Sequence, residues 1–327
     1  MAVTLAQTAK LTKDPLRKGI IMNLIRDSAL LDLLPFENVD SLNSVAVRWT
    51  NLPDPTWRRI NEDYVADEGD FEQVYESVYA FGGELETDRV WSKVRGSMIV
   101  DPEVENMKMH NKSMAFTFND YFINGDHATD VDGIEGLRKR ISNMPSRQSV
   151  RAGSTTDVLD PTASAANARR FFDKWEEAFA YANNGDVQMI LCNLGIKLGL
   201  GRVLRYATIS GGSLLDVTKD QFDRPVTTYR GIPLFDMGLK LDQTTEIIAN
   251  GQTAEDAGTD ATDAFFVPLN TEQGITGIQL DPIEVFDGKK NKSTTDVTVI
   301  EWWVGLAGFG SYGPVRLHNI EEPTAWT

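Results

Sequence analysis

The stretch that decides the fold is PEVENMKMHNKSMAFTFNDYFINGD, residues 102–126. Asp101 before Pro102 suits a helix start, with the carboxylate as N-cap and the proline at the first helical position, where its missing N–H costs nothing. Val104, Met107, Met114, Ala115, Phe118, Tyr121 and Phe122 recur at spacings of three, four and seven, which lays one apolar stripe along a single helix. The stripe predicts a core-facing rod on the order of 30 Å or more long. Asn124-Gly125-Asp126 is expected to stop it with a left-handed residue. A helix of that length serves as a scaffold, so the elements before and after it are expected to pack around it.

On its N-terminal side the pattern is β. Val45 and Val47 alternate with polar neighbours, Leu52-Pro53-Asp54-Pro55 breaks the strand, and Trp57-Arg58-Arg59-Ile60 follows. From Phe71 to Val94 the period is two again. Tyr75, Ser77, Tyr79 and Phe81 share one side, Gly82-Gly83 reads as a turn or bulge, and Glu84, Glu86 and Asp88 then oppose Leu85 and Val90. This excursion has too little mass to bury its own aromatics, so they need another surface, either the body of the same chain or another subunit. Further upstream, Leu16, Ile20, Leu24, Leu30, Leu31 and Leu34 have helical spacing, and Pro35 ends the run. Lys10, Lys13, Arg17, Lys18 and Arg26 against Asp14 make this arm locally basic. It reads as a surface for nucleic acid or an acidic neighbour, or as a solvated helix face.

On the C-terminal side, Ser142 to Pro161 reads as a polar surface loop. Helices are expected at Ser164 to Asn183 and Leu194 to Tyr206, with a buried strand at Val187 to Leu191 between them. Strand-like runs follow at Val226 to Leu234, Phe265 to Leu269, Val297 to Leu306 and Val315 to Ile320, with an acidic loop at 250–264. Helices and strands are segregated more than alternated, which predicts an α+β fold.

The 327 residues, 41% hydrophobic, can bury a core in two or more compact parts. A net charge of −16 argues against a surface that grips phosphates through a general basic field. The lone Cys192 excludes an internal disulfide. No apolar core of signal-peptide length opens the sequence and no run approaches eighteen apolar residues, so neither secretion by that route nor a membrane span is expected. Chemistry-bearing motifs fail on inspection. Around Asp130, Asp132 and Gly133 the first position of a calcium loop falls on Ala128 and the twelfth on Lys139. Gly195, Gly199 and Gly201 follow a strand, yet no Gly-Lys-Ser/Thr ends them. Three histidines without metal spacing and no Gly-x-Ser-x-Gly elbow complete a picture with no catalytic site, no cofactor and no metal.

Four phrases in order along the chain carry a resemblance: LPDPTWRRINE at 52–62, AFGGELETD at 80–88, FINGD at 122–126 with Asp132-Gly133 to Leu137, and RPVTTYRGIP at 224–233. Together they resemble the major capsid proteins of tailed phages, which have the Hong Kong 97-type fold. The resemblance implies an N-terminal arm at 1–40, an extended β-hairpin loop at 41–98, and a peripheral domain with a spine helix at 99–163. It also implies an axial domain at 164–290 and C-terminal strands returning to both domains at 291–327. It further implies a homo-oligomer of hexamers and pentamers that encloses double-stranded DNA without sequence-specific binding, and a virion protein assembled in the host cytoplasm. Scaffold, portal and decoration proteins are its implied partners. The arm pattern begins almost at Met1, which points to a scaffold that is a separate protein. In this reading Trp57, Arg58, Arg59 and Ile60 are the inter-subunit contact of the loop, and Met107, Met114, Phe118, Tyr121 and Phe122 are the core of the spine. Some relatives join a loop lysine to a neighbour's asparagine. Here no lysine lies between Lys18 and Lys93, and Thr294 and Thr295 stand near the place of the asparagine, with Asn291 a few positions away and Glu301 near that of the catalytic carboxylate. An encapsulin-like nanocompartment shell would use the same fold, and an enzyme with an unrecognised site is the remaining alternative.

Overall fold

A computed structural model of the chain describes residues 3–88, 90, 102–154, 159–206, 215–219, 223–251, 261–270, 274–287, 295–308, 310 and 313–321. The chain opens with β1 (Val3–Thr4), α1 (Leu5–Leu11), α2 (Pro15–Asp27), α3 (Ala29–Leu33) and β2 (Pro35–Asn38). Then come β3 (Asn43–Asn51), β4 (Asp70–Ser77), β5 (Tyr79–Asp88) and the long helix α4 (Pro102–Asn124). α5 (Leu137–Ser142), β6 (Ser149–Arg151), α6 (Ala165–Tyr181), β7 (Met189–Cys192) and α7 (Leu194–Tyr206) follow. The remainder is β8 (Leu215–Lys219), β9 (Pro225–Tyr229), β10 (Ile232–Asp236), β11 (Ala261–Val267), β12 (Thr276–Gln279), β13 (Glu284–Asp287), β14 (Thr295–Ala307) and β15 (Val315–Glu321). The class is α+β, as the pattern of the sequence predicts.

Two sheets organise the body. In the first, β14 pairs with β5 over ten residue pairs, from Thr295–Asp88 to Val304–Tyr79. Its other edge takes β13 and β12, and β12 continues through β2 to β1. The inner face lies on α4. Phe118 of α4 stacks on Trp302 of β14 at 5.5 Å between ring centroids, and Phe36 of β2 and Phe81 of β5 close around them. A fully buried aromatic of this kind contributes roughly 1.5–3 kcal/mol through the area it removes from water. The second sheet runs β6-β15-β11-β7-β10-β9-β8. Its middle strands are buried on both faces. Met189, Leu191, Phe265 and Val267 enter the core around α4, whereas Ile190, Cys192, Ala264 and Phe266 enter a second core under α6 and α7. Period-two alternation between two apolar cores is why β7 reads as one unbroken apolar run.

Several elements depart from the expectations. The stripe of α4 is buried at Met114, Ala115, Phe118 and Phe122, partly buried at Met107 and Tyr121, and fails at Val104, which is 48% exposed. The Asp101 cap lies outside the described residues. Gly125 is not left-handed: among the described residues the glycines with positive φ are Gly185, Gly231, Gly238 and Gly251. Gly125 is needed instead because a Cβ there would collide with the backbone of Ile134 and Gly136. The helix expected at 13–34 is two helices broken at Ser28, whose Oγ caps Leu31 N at 3.3 Å and donates to Asn119 Oδ1 of α4 at 2.7 Å. Ile20, Ile21, Leu24 and Ile25 dock this arm on the body, and Leu16 stays exposed. The segment after Ser142 is not all surface loop, since Val150, Ala152 and Leu159 are buried.

Gly82-Gly83 is neither a turn nor a bulge. Both glycines lie inside β5, where a Cβ on Gly82 would overlap the carbonyl oxygen of Ile300, and one on Gly83 would come within 2.5 Å of the His110 imidazole. His110 thus packs from α4 directly onto the β5 backbone, with Nε2 buried and unpartnered among the described residues. Burial holds its pKa below the ordinary value of 6.5. Above that pH both folded and unfolded chains carry a neutral ring, so nothing is lost. As pH falls below it the unfolded chain gains a proton that the folded one resists, and stability drops. His110→Gln should therefore lose less melting temperature than the parent between pH 7.5 and pH 5.0. An equal loss in both would remove the imidazole as the cause.

Candidate assembly surfaces

β3 and β4 leave the body as a two-stranded antiparallel ribbon, with register from Asn43–Ser77 to Trp49–Phe71. Its two faces differ. Val45, Val47, Trp49, Phe71 and Tyr75 share one face and are all more than half exposed. The other face carries Ser44, Ala46, Arg48, Glu72, Val74 and Glu76, with an Arg48–Glu72 ion pair across the strands. Five large apolar side chains on one face of an isolated ribbon are more than a soluble monomer ordinarily leaves uncovered.

The expected contact residues sit at the tip. Residues 52–69 carry no regular secondary structure beyond a single turn and are exposed almost throughout, with Trp57 wholly in solvent and Ile60 91% exposed. The tip is nonetheless shaped. Gly69 lets the two limbs close at the neck, where a Cβ would meet Pro53 Cδ at 2.9 Å, and Asp54 N donates to Asp67 Oδ2 at 2.6 Å. Arg58 donates from Nη1 to the Glu62 carbonyl at 3.1 Å and lies 5.0 Å over the Tyr64 ring. Arg58 is therefore partly engaged in holding the tip, and the Arg59 side chain has no partner among the described residues. The ribbon ends at residues 77–78, so the hairpin turns at 52–69 and the aromatics Tyr79 and Phe81 pack on the body of the same chain. Residues 89 and 91–98 of the expected loop lie outside the described residues.

The root of the ribbon holds what sequence reasoning missed. Glu76 and Arg140 are both buried, and form a bidentate pair with Nη1–Oε1 2.5 Å and Nη2–Oε2 2.8 Å. Arg140 also donates to the Leu306 carbonyl at 3.0 Å and the Glu135 carbonyl at 2.9 Å, and Gly308 N donates to Glu76 Oε1 at 3.3 Å. Burial works against the guanidinium charge, but the hydrogen bonds and charge of Glu76 outweigh it and hold its pKa above the ordinary value. The one signal in the sequence was an acidic residue at a position where β4 alternation would place an inward side chain.

The basic arm is only partly free. Lys10, Lys13, Lys18 and Arg26 are exposed, whereas Arg17 donates to the Pro282 carbonyl at 2.6 Å. Glu301, near the place expected for a cross-linking carboxylate, pairs across the strands with Glu284, on a face that also carries Glu84 of β5 two residues along. Lys93, Asn291 and Thr294 lie outside the described residues. Among the described residues no group of three His, Cys, Asp or Glu could hold a metal, and no helix is long and apolar enough to cross a membrane. Cys192 is buried and its thiol pKa is pushed up by that burial, away from thiolate chemistry.

The family model for major capsid protein GP7 matches residues 19–180, from the arm through α4 to α6. The chain is a major capsid protein of the Hong Kong 97-type fold. Solved structures share that fold at low identity. The encapsulin SrpI from Synechococcus elongatus superposes with a TM-score of 0.62 at 14% identity, covering 91% of this chain and 89% of that one. The capsid of a native GTA particle gives 0.59 at 14% identity, covering 89% and 90%. Mycobacterium phage Bobi gives 0.57 at 9% identity, covering 89% of each chain. No curated protein sequence matches. A capsid protein works by structure and not by catalysis, which accounts for the absent catalytic motifs. For the ribbon root of this capsid protein, Arg140→Ala leaves Glu76 as an unpaired buried charge and should cost about 3–5 kcal/mol. Denaturant unfolding of the subunit measures it, and a loss under ~1 kcal/mol would mean that water reaches the carboxylate.

Proposed function

We propose that this capsid protein is the repeating subunit of an icosahedral phage head, arranged as hexamers and pentamers around double-stranded DNA that it encloses without sequence-specific binding. The observation that supports this most is the ribbon. It offers an exposed apolar face and a tip with Trp57, Arg58, Arg59 and Ile60, the residue types that anchor interfaces, and the acidic body supplies partners for the arginines on a neighbour. By the same reading, residues 1–40 are the arm and 41–98 contain the extended loop. The peripheral domain is the first sheet with its spine helix, whose core is Met107, Met114, Phe118, Tyr121 and Phe122. The axial domain is the second sheet with α6 and α7. β12 and β13 pair with β14 in the first sheet, so the axial domain of this proposal ends near residue 270 instead of 290. The subunit works with scaffold and portal proteins and assembles in the host cytoplasm. Lys10, Lys13, Lys18 and Arg26 offer the arm's contact to the lumen or to an acidic neighbour.

Trp57→Ala with Arg58→Ala should leave a folded subunit, judged by circular dichroism, that assembles at least tenfold less well by sedimentation. Normal yields of shells would remove the tip from the interface. The likeness to the SrpI encapsulin supports a second reading, a nanocompartment shell, and nucleic-acid content of purified particles separates the two. In either shell the loop lacks a lysine nucleophile from 19 to 92, and an arginine cannot replace it because its guanidinium stays protonated. Boiled, reduced shells should run as one band at 36.4 kDa. A ladder of covalent multimers would show cross-linking by another route.

A further inference from the structure

We propose that Glu76 and Arg140 are positioning residues that set the direction of the ribbon before assembly, a role distinct from stabilising the fold. The inference rests on the ribbon being the assembly contact. The ribbon is a lever: its nine-residue strand β3 spans about 30 Å at roughly 3.4 Å per residue. A few degrees at the root move the tip by several ångströms, enough to miss a neighbour. Its attachments to the body among the described residues are few. Val78 packs with Ile278 and Ala307 in a small apolar cluster that Val39 and Trp303 cover, and Gly305 lets the Ser77 carbonyl approach β14. These contacts all lie at the level of Val39 and of Ser77–Val78, the ends of the lever, so they hold its position and allow it to swing.

The Glu76–Arg140 pair lies one rung further out, on the face turned to the body, and it is the directional contact. A planar guanidinium fork meeting both carboxylate oxygens fixes orientation as well as distance. Arg140 is fixed in turn by the Leu306 and Glu135 carbonyls, so the angle is referred to β14 and to α5 together. A buried ion pair is weak evidence for stability, because apolar residues of like volume often hold a fold equally well. The part proposed for this pair is orientation, because the bidentate fork sets an angle that the small apolar cluster at the root leaves open.

The test replaces the pair by Glu76→Leu with Arg140→Met, in the unassembled full chain. Spin labels at Thr56→Cys on the tip and Asp173→Cys on α6 report the ribbon direction, since both positions are exposed and the native Cys192 is buried beyond labelling. The expected result is a melting temperature within about 4 °C of the parent, a label-to-label distance distribution at least twofold broader, and particles of mixed size. Arg140→Lys keeps the charge but loses the fork, and should broaden the distribution in the same way. An unchanged distribution in both variants would overturn the proposal. So would a double variant that no longer melts cooperatively, because the pair would then be holding the fold. If the ribbon broadens while shells form normally, the positioning role stands and the ribbon's part in assembly fails.

Discussion

The backbone of Gly125 lies against the backbone of Gly136, and neither position has room for a Cβ. Gly136 N donates to the Gly125 carbonyl at 2.9 Å, and a side-chain carbon on Gly136 would meet the Tyr121 carbonyl at 2.6 Å and Gly125 N at 2.7 Å. This contact brings the start of α5 hard against the end of α4. From there four successive residues reach four parts of the molecule. Leu137 enters the core around α4, Arg138 pairs with Asp263 of the second sheet at 2.7 Å, Lys139 faces Asp126 at 3.4 Å, and Arg140 takes the ribbon root. A six-residue helix has no stability of its own. It exists because the glycine contact places it where every side chain has a partner.

That geometry explains what could and could not be read from the sequence. The α4 stripe, the break at Pro35, the helix capped by Ser164 and the last two strands, β14 and β15, were legible, because each is set by local periodicity or capping, although the two strands join different sheets. Gly125 was read as a left-handed stop and Gly82-Gly83 as a turn, because glycine permits both a positive φ and a close approach, and only the partner chain segment tells them apart. Gly82 faces Ile300 across 218 positions of sequence. The strands β8, β12 and β13 were missed for a related reason: they are four or five residues long and depend on pairing with β9 and β14 more than on their own pattern. At the candidate site the exposed tip was legible as an unburied aromatic and arginine cluster. The Glu76–Arg140 root was not, since one acidic and one basic residue among 80 charged ones carry no mark of being buried together.

The subunit also has to exist before it assembles, and two of its features oppose each other there. The apolar ribbon face and the outer edges of β3 and β4, which pair with no other strand among the described residues, are a template for indiscriminate pairing. A net charge of −16 repels free subunits from one another. Repulsion acts over about a Debye length, roughly 8 Å at physiological ionic strength, whereas apolar contact needs the surfaces to touch. Charge therefore screens out random encounters, and only an approach that brings cationic groups toward carboxylates passes it. On the ribbon those groups are Arg58 and Arg59, set among Trp57 and Ile60. Under the proposed assembly, the tip serves for selection and the apolar face behind it for adhesion, the order in which a subunit arriving at a growing shell would meet them.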